Sequence, residues 1–306
     1  MSYKIIITGA TSFIGNALIR RLCSVDECKV YALVRPNSLR RNTLCSSANV
    51  EIIEADMSRL TGLENVIDRC DALIHVGWNS DFADPRYNLD GQMKNVDYMK
   101  GIVELAARTG CNKLLCVGSQ AECGRVNEMI TENTPDHPET AYAIAKCRAF
   151  EYSLQKCEQH NIKLYWPRLL SAYGPNDKSR TLIMSCLNAA KNRQKIALTP
   201  CEQMWDFIYV DDVAEAILRI IWKGEPATKY PISSGTGNHL YEYIAEIARI
   251  TQYAALLEGI GQKDYAKEQV MYLVGDISRL CKDTGFYPKT SFAQGISATW
   301  EKVING

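Results

Sequence analysis

The apolar positions of the chain fall into two rhythms that alternate through its first half. Residues 3–7 are β-branched and apolar, predicting a strand that runs into a glycine turn and then a helix over 16–23. Further strands are predicted at 29–34, 50–54, 71–76, 113–117 and 163–170, with helical patterns at 58–69, 89–108 and 139–160 between them. The pattern at 89–108 stops at Gly110, a favourable C-terminal cap. Strands alternating with helices predict an α/β chain built on a doubly wound parallel sheet, whose ligands bind at the carboxyl ends of the strands.

After Tyr173, Gly174 and Pro175 the rhythm changes. Helical patterns at 181–191, 210–222, 241–251 and 291–303 surround a strand at 205–209 and a turn-rich stretch at 259–267. This divides the chain into a sheet domain over 1–170, to which 205–238 returns, and a smaller lobe made of 171–204 and 239–306.

Candidate chemistry enters at the turn after the first strand, Thr8 to Gly15. Backbone N–H groups at a helix N-terminus lack partners and carry partial positive charge, so a pyrophosphate sits there when no side chain blocks its approach. Gly9 and Gly15 supply that clearance, and Ser12 stands where a GxxGxxG pattern has its middle glycine. Taken alone, the stretch also fits an ordinary tight turn. A second signal is Tyr142 and Lys146, four apart and therefore on one helix face. A tyrosine that exchanges protons near neutral pH needs its phenol, normally near ~10, moved down. A lysine ammonium one turn away, with an oxidised nicotinamide, is a source of that shift, and the strand before this helix ends at Ser119. In isolation the pair reads as a surface Tyr and Lys.

Lys plus Arg equals Asp plus Glu at 35 each, so no basic stripe points to nucleic acid. No apolar run has the length of a membrane span, and the N-terminal region lacks signal-type features, so a soluble cytoplasmic protein is expected. The 12 cysteines are scattered without metal-ligand spacing, and His137, His160 and His239 stand apart, so no metal site is predicted.

The glycine turn, Asp56, His75 with Val76 and Gly77, Asn95, Ser119, the Tyr142 and Lys146 pair, Arg168, Tyr173 to Pro175 and residues 206–214 occur in the order of the extended short-chain dehydrogenase/reductases. Residues 276–280 and 284–286 resemble that family's last recurring segment, so the resemblance covers nearly the whole chain. It implies a Rossmann-like sheet with a smaller C-terminal substrate-binding lobe, acting as a nucleotide-sugar epimerase or reductase. Tyr142 is then the acid/base on a sugar oxygen, and Ser119 bonds the same oxygen. Lys146 holds the nicotinamide ribose and lowers the tyrosine pKa, with hydride passing at C4. The implied cofactor set is Gly9, Thr11, Ser12, Phe13, Ile14 and Gly15, then Arg35, Ser38, Asp56 and Met57, then His75, Val76 and Gly77, with Tyr142, Lys146, Pro167, Leu169 and Leu170. The implied substrate set is Ser80, Ser119, Gln120, Tyr142, Ser171 and Trp205.

Departures narrow the reading. Gln120 and Ala121 stand where the family's dehydratases carry Asp and Glu, which disfavours dehydration. Residues 118–124 resemble a variant found in reductases and epimerases of surface-polysaccharide sugars. Trp205 replaces a diphosphate-clamping arginine and either stacks on a ligand or packs, and Ser171 replaces a substrate-binding asparagine. Arg35, with Ser38 and Arg40, suits the 2′-phosphate of NADP; if it stacks on adenine or faces solvent, NAD is left open. His75 is expected in a structural hydrogen bond, and Asn95 is expected to brace the sheet. The resemblance also implies a homodimer through the helices at 89–108 and 139–156, although their apolar stripes are equally suited to the core. A 4-ketoreductase is preferred, followed by a 4-epimerase with retained NAD. A non-catalytic NAD(P) sensor and a reductase of non-sugar ketones complete the alternatives.

Overall fold

A computed structural model describes residues 2–305. Strands β1 (Tyr3–Thr8), β2 (Cys28–Val34) and β3 (Val50–Glu54) pair in parallel and step outward in one direction. Strand β4 (Ala72–His75) starts on the other side of β1, and β5 (Lys113–Cys116) continues away from it. After the two-residue β6 (Gly118–Ser119), β7 (Lys163–Tyr165) completes a six-stranded parallel sheet of order β3-β2-β1-β4-β5-β7. Ile5, Ile6 and Ile7 have no exposed surface, because a parallel sheet is covered on both faces and its central strands are apolar throughout. The direction of winding reverses between β1 and β4, and a crevice opens there at the carboxyl ends.

Helix α1 (Phe13–Cys23) covers one face; α2 (Leu89–Arg108) and α3 (Ala141–Gln159) cover the other. The apolar stripes of α2 and α3 are core: Val96, Met99, Ile102, Ala145 and Ala149 pack under the sheet, while Asp97, Lys100, Glu104 and Glu151 face outward. Nine of the cysteines are buried as packing side chains.

Two expected elements differ. Residues 58–69 form turns with one short 3-10 segment, Leu63–Asn65, rather than a helix. Gly62 takes φ +90°, and Arg108 of α2 reaches across to pair with Glu64 at 3.2 Å, so the segment is held in a turn while Leu60 and Ile67 are still buried. The strand expected over 163–170 breaks after Tyr165, because Pro167 has no N–H to give a ladder, and its carbonyl accepts from Gly118 N at 2.8 Å. The chain re-forms as β8 (Arg168–Leu169) in a separate small sheet beside β6.

Beyond it, β9 (Ser171–Tyr173), helix α4 (Leu182–Asn192), β10 (Met204–Trp205) and β11 (Phe207–Tyr209) follow, with Asp206 dividing the strand expected at 205–209. Helix α5 (Val210–Lys223) lies against α1, tied by Arg20 to Asp211 at 2.6 Å and Arg21 to Glu215 at 3.0 Å. Strand β12 (Pro231–Ile232) pairs with β8, and β10 lies between β13 (Asn238–His239) and β14 (Tyr272–Leu273). Helices α6 (Leu240–Thr251) and α8 (Phe292–Asn305) share a hydrophobic cluster with α4, and the short α7 (Ser278–Thr284) packs on α5. The carboxylates of the 206–214 segment are structural: Asp206 accepts from Ser234 N at 2.8 Å and Gly235 N at 3.1 Å, and Asp212 from Lys289 N at 3.0 Å and Thr290 N at 2.9 Å. Among the described residues, no helix is long and apolar enough to cross a membrane.

Candidate active site

The turn after β1 is pressed against the end of β4. Gly9 has φ +70°, and a Cβ there would lie 2.6 Å from Gly77 Cα; a Cβ on Gly15 would lie 2.2 Å from Gly9 O. Ser12 caps α1, accepting from Gly15 N at 3.1 Å. The first-turn amides of Phe13 and Ile14 have no intrahelical acceptor, and with Thr11 they sit at the positive end of α1 on the crevice. This donor set fits a pyrophosphate.

The other residues of the expected cofactor set follow successive strand ends: Arg35 and Ser38 after β2, Asp56 and Met57 after β3, His75 to Gly77 at β4, Pro167 to Leu170 after β7. Arg35 Nη1 lies 3.2 Å from Asp81, both side chains largely exposed. Asp56 accepts from Ser58 N at 2.8 Å and Ser58 Oγ at 2.6 Å, bonds that with Arg35 hold its carboxyl below the usual range. The Met57 sulfur presses on Gly77. His75 Nδ1 is 2.6 Å from Thr8 Oγ1; burial and the Lys146 charge push it down to about 3, so it is a neutral, structural imidazole. Asn95 braces the loop after β4 rather than the sheet, accepting from Asn79 N at 2.7 Å and donating to Asn79 O at 3.0 Å.

Ser119 ends β6 and caps a 3-10 turn, and Glu122 returns to accept its backbone N–H at 2.9 Å. Fully buried, Glu122 also accepts from Trp166 Nε1 at 3.1 Å and Arg168 Nε at 3.4 Å, which ties the serine to β8. Thr140 caps α3 and so presents Tyr142 and Lys146. Lys146 is buried, donates to Val117 O at 2.7 Å, and lies 5.9 Å from the Tyr142 ring centroid. Burial pushes the ammonium down to about 8. The Tyr142 phenol is pushed up to about 12, again by burial, with Ser119 pulling the other way. The downward shift expected from the lysine together with an oxidised nicotinamide is not produced by the protein alone: burial raises the phenol, while the Lys146 ammonium is given to Val117 O.

Ser119, Gln120, Tyr142, Ser80 and Trp205 line one cleft of about 710 Å³. Ser171 stands at its side: Trp205 Nε1 donates to Ser171 Oγ at 2.7 Å, so the two departures from the family pattern are partners of each other. Sequence reasoning missed Trp78, Arg86, Lys178 and Lys267, which also line the cleft. Lys178 Nζ donates to Ser80 Oγ at 3.4 Å, and Tyr87 OH donates to Glu268 at 3.0 Å, joining segments 181 residues apart.

The model of the NAD dependent epimerase/dehydratase family matches residues 5–233. The chain belongs to this family. Among its relatives, CDP-abequose synthase of Salmonella muenchen is 27% identical over 241 residues, covering 78% of this chain and 76% of the relative. The dTDP-6-deoxy-L-talose 4-dehydrogenase (NAD(+)) of Aggregatibacter actinomycetemcomitans is 25% identical over 220 residues, covering 69% and 77%. The fold is shared with UDP-glucose 4-epimerase of Thermotoga maritima, at TM-score 0.87, 20% identity and 98% coverage of both chains. As an epimerase/dehydratase family member the chain is an enzyme, an extended short-chain dehydrogenase/reductase that uses a nicotinamide cofactor. Of the four residues missed, Trp78 carried a signal, since it directly follows His75 to Gly77; the three cations stand in loops with none.

Proposed function

We propose that this enzyme is an NAD(P)-dependent oxidoreductase acting at C4 of a nucleotide-activated sugar, with reduction of a 4-keto group preferred. The observation that carries the reading is the meeting of Ser119 and Tyr142 at one cleft beside the β1/β4 crevice, with Lys146 buried behind the tyrosine. The relatives' names denote enzymes of nucleotide-linked sugars, and one names the 4-position. A phenol pushed up to about 12 keeps its proton at neutral pH, and the alkoxide formed at C4, a stronger base than the phenolate, can take it.

The first turn of α1 would hold the cofactor pyrophosphate, Arg35 and Ser38 the adenosine ribose, Asp56 and Met57 the adenine, and Lys146 the second ribose. When bound, the nicotinamide supplies the hydride. As the C4 carbonyl becomes an alkoxide, Tyr142 gives its proton to that oxygen and Ser119 donates a hydrogen bond to it. The resulting phenolate, beside the Lys146 ammonium, is reprotonated from solvent. Arg86, Lys178 and Lys267 are the cleft cations available to a diphosphate where Trp205 has replaced the usual arginine. Lys178→Ala is therefore expected to weaken binding of UDP, CDP or dTDP about tenfold or more, the worth of a charged hydrogen bond, as read by calorimetry. Unchanged affinity for all three would remove Lys178 from the diphosphate site.

The second reading is a 4-epimerase that retains NAD, favoured by one observation: Arg35 is already paired with Asp81. Identifying the nucleotide released on denaturing the purified protein separates the two. Stoichiometric NAD supports the epimerase; an empty protein that reduces a 4-keto nucleotide sugar with NADPH supports the reductase. For the reductase, Asp81→Asn should tighten NADPH about two- to fivefold, the scale of an exposed ion pair, with NADH unchanged. Equal effects on both cofactors would mean that Arg35 does not read the 2′-phosphate. The homodimer rests on the resemblance alone, and light scattering at micromolar concentration decides it.

A further inference from the structure

Trp78 has no place in the roles described above, yet it touches both members of the Tyr142 and Lys146 pair. It leaves the carboxyl end of β4 directly after Gly77 and lines the cleft. The Lys146 Nζ lies 3.6 Å from the indole centroid, while the Tyr142 ring stands edge-on to it, with centroids 6.0 Å apart and planes at 87°. An ammonium has three N–H directions: Val117 O takes one at 2.7 Å and the indole face takes a second.

The indole is itself fixed from α2. Its Nε1 donates to Gln92 Oε1 at 2.8 Å, and Gln92, buried, donates in turn to Pro85 O at 2.5 Å. Asn95, one turn further along α2, holds the neighbouring Asn79 at both its N–H and its carbonyl. Two buried amides thus grip the segment that carries Trp78. Gln92 also lines the cleft, and neither Gln92 nor Asn95 bonds Ser119 or Lys146.

We propose that Trp78 is a positioning residue of the catalytic pair, its indole face clamping the Lys146 ammonium while its edge sets the angle of the Tyr142 ring. The inference rests on the reading of Tyr142 and Lys146 as acid and cation. The other titratable groups facing Lys146 are Glu122 and Cys116, which favour its charge, and His75, whose imidazole burial and, secondarily, the lysine charge keep unprotonated. Trp78 adds an uncharged, water-excluding partner on the cleft side. Leucine in its place keeps apolar cover, so burial still disfavours the charge, but it removes the ring face that attracts the ammonium, and the charged form is less favoured.

The test follows Lys146 itself, so that no substrate is needed. In protein labelled with 13C at lysine Cε, the Lys146 resonance is assigned by its loss in Lys146→Arg, and its titration is followed by NMR in wild type, Trp78→Phe and Trp78→Leu. The clamp predicts that Trp78→Leu lowers the midpoint by about one pH unit, while Trp78→Phe, which keeps a ring, stays within a few tenths of wild type. An unmoved midpoint in Trp78→Leu, or equal shifts in both variants, overturns it. Should Trp78→Leu fail to fold, the indole emission of the intact protein, taken as wild type minus Trp78→Phe, must show a step at the Lys146 midpoint that Lys146→Met abolishes; a flat difference overturns the proposal. With a 4-keto nucleotide sugar and NADPH, kcat of Trp78→Leu should fall about tenfold and recover in Trp78→Phe. If the midpoint moves as expected while Tyr142→Phe keeps its turnover, the catalytic reading of the pair fails and the clamp stands.

Discussion

Tyr142→Phe is expected to lower kcat roughly 100- to 10,000-fold while NADPH affinity stays within about twofold, because a general acid contributes on that scale and a phenol oxygen is all that is removed. Ser119 and Lys146 keep their backbone anchors in this variant, the Glu122 carboxylate for one and Val117 O for the other. The wild-type pH profile adds a second readout. Burial lowers the Lys146 pKa to about 8, so the ammonium is present below that value and is lost as pH rises through it. Ketone reduction should therefore be level between about pH 6 and 7.5 and fall above about 8, well before the phenol ionises. Steady-state assays with 4-keto nucleotide sugars, beside NADPH fluorescence titrations, check both points. Turnover of Tyr142→Phe within a few fold of wild type would remove the acid.

The second large effect concerns a residue buried behind the site. Arg168 is 1% exposed and spans three partners: Glu122 at 3.4 Å, Thr134 O at 2.6 Å and Asp136 at 2.5 Å. Lys229 adds a further contact to Asp136 at 2.5 Å. Arg168→Met leaves the buried Glu122 side chain without its cation, which costs about 3–5 kcal/mol, to be read as a lower urea midpoint at unchanged slope. Since Glu122 also holds Ser119 N, kcat should fall with stability. The double variant Arg168→Met with Glu122→Gln should recover much of the loss, because the uncompensated charge goes with it. A single variant within about 1 kcal/mol of wild type would show that the network carries little of the fold's stability.

Much of this molecule follows from local pattern. The alternation of apolar strands and helices yields the parallel sheet, since a strand followed by a covering helix, as β1 by α1 or β4 by α2, has one low-energy way to continue. The glycine turn, the cap at Ser12 and the shared face of Tyr142 and Lys146 are likewise set within a few residues. Residues 58–69 mark the limit of periodicity. Their apolar positions are buried as a helix would bury them, but Gly62 and the grip of Arg108 hold a turn instead.

Spacing and backbone stereochemistry were enough to predict the fold class, while the phosphate turn and the candidate acid needed the family resemblance as well. Only the tertiary structure decided the environment of that acid. Trp78 on Lys146, Ser171 on Trp205 and Lys178 beside Ser80 join segments 34 to 98 residues apart, and no local period encodes such meetings. The direction of the Tyr142 shift was decided in the same way, because desolvation depends on everything packed around a group, and here it raises the phenol although the helix places a lysine one turn away.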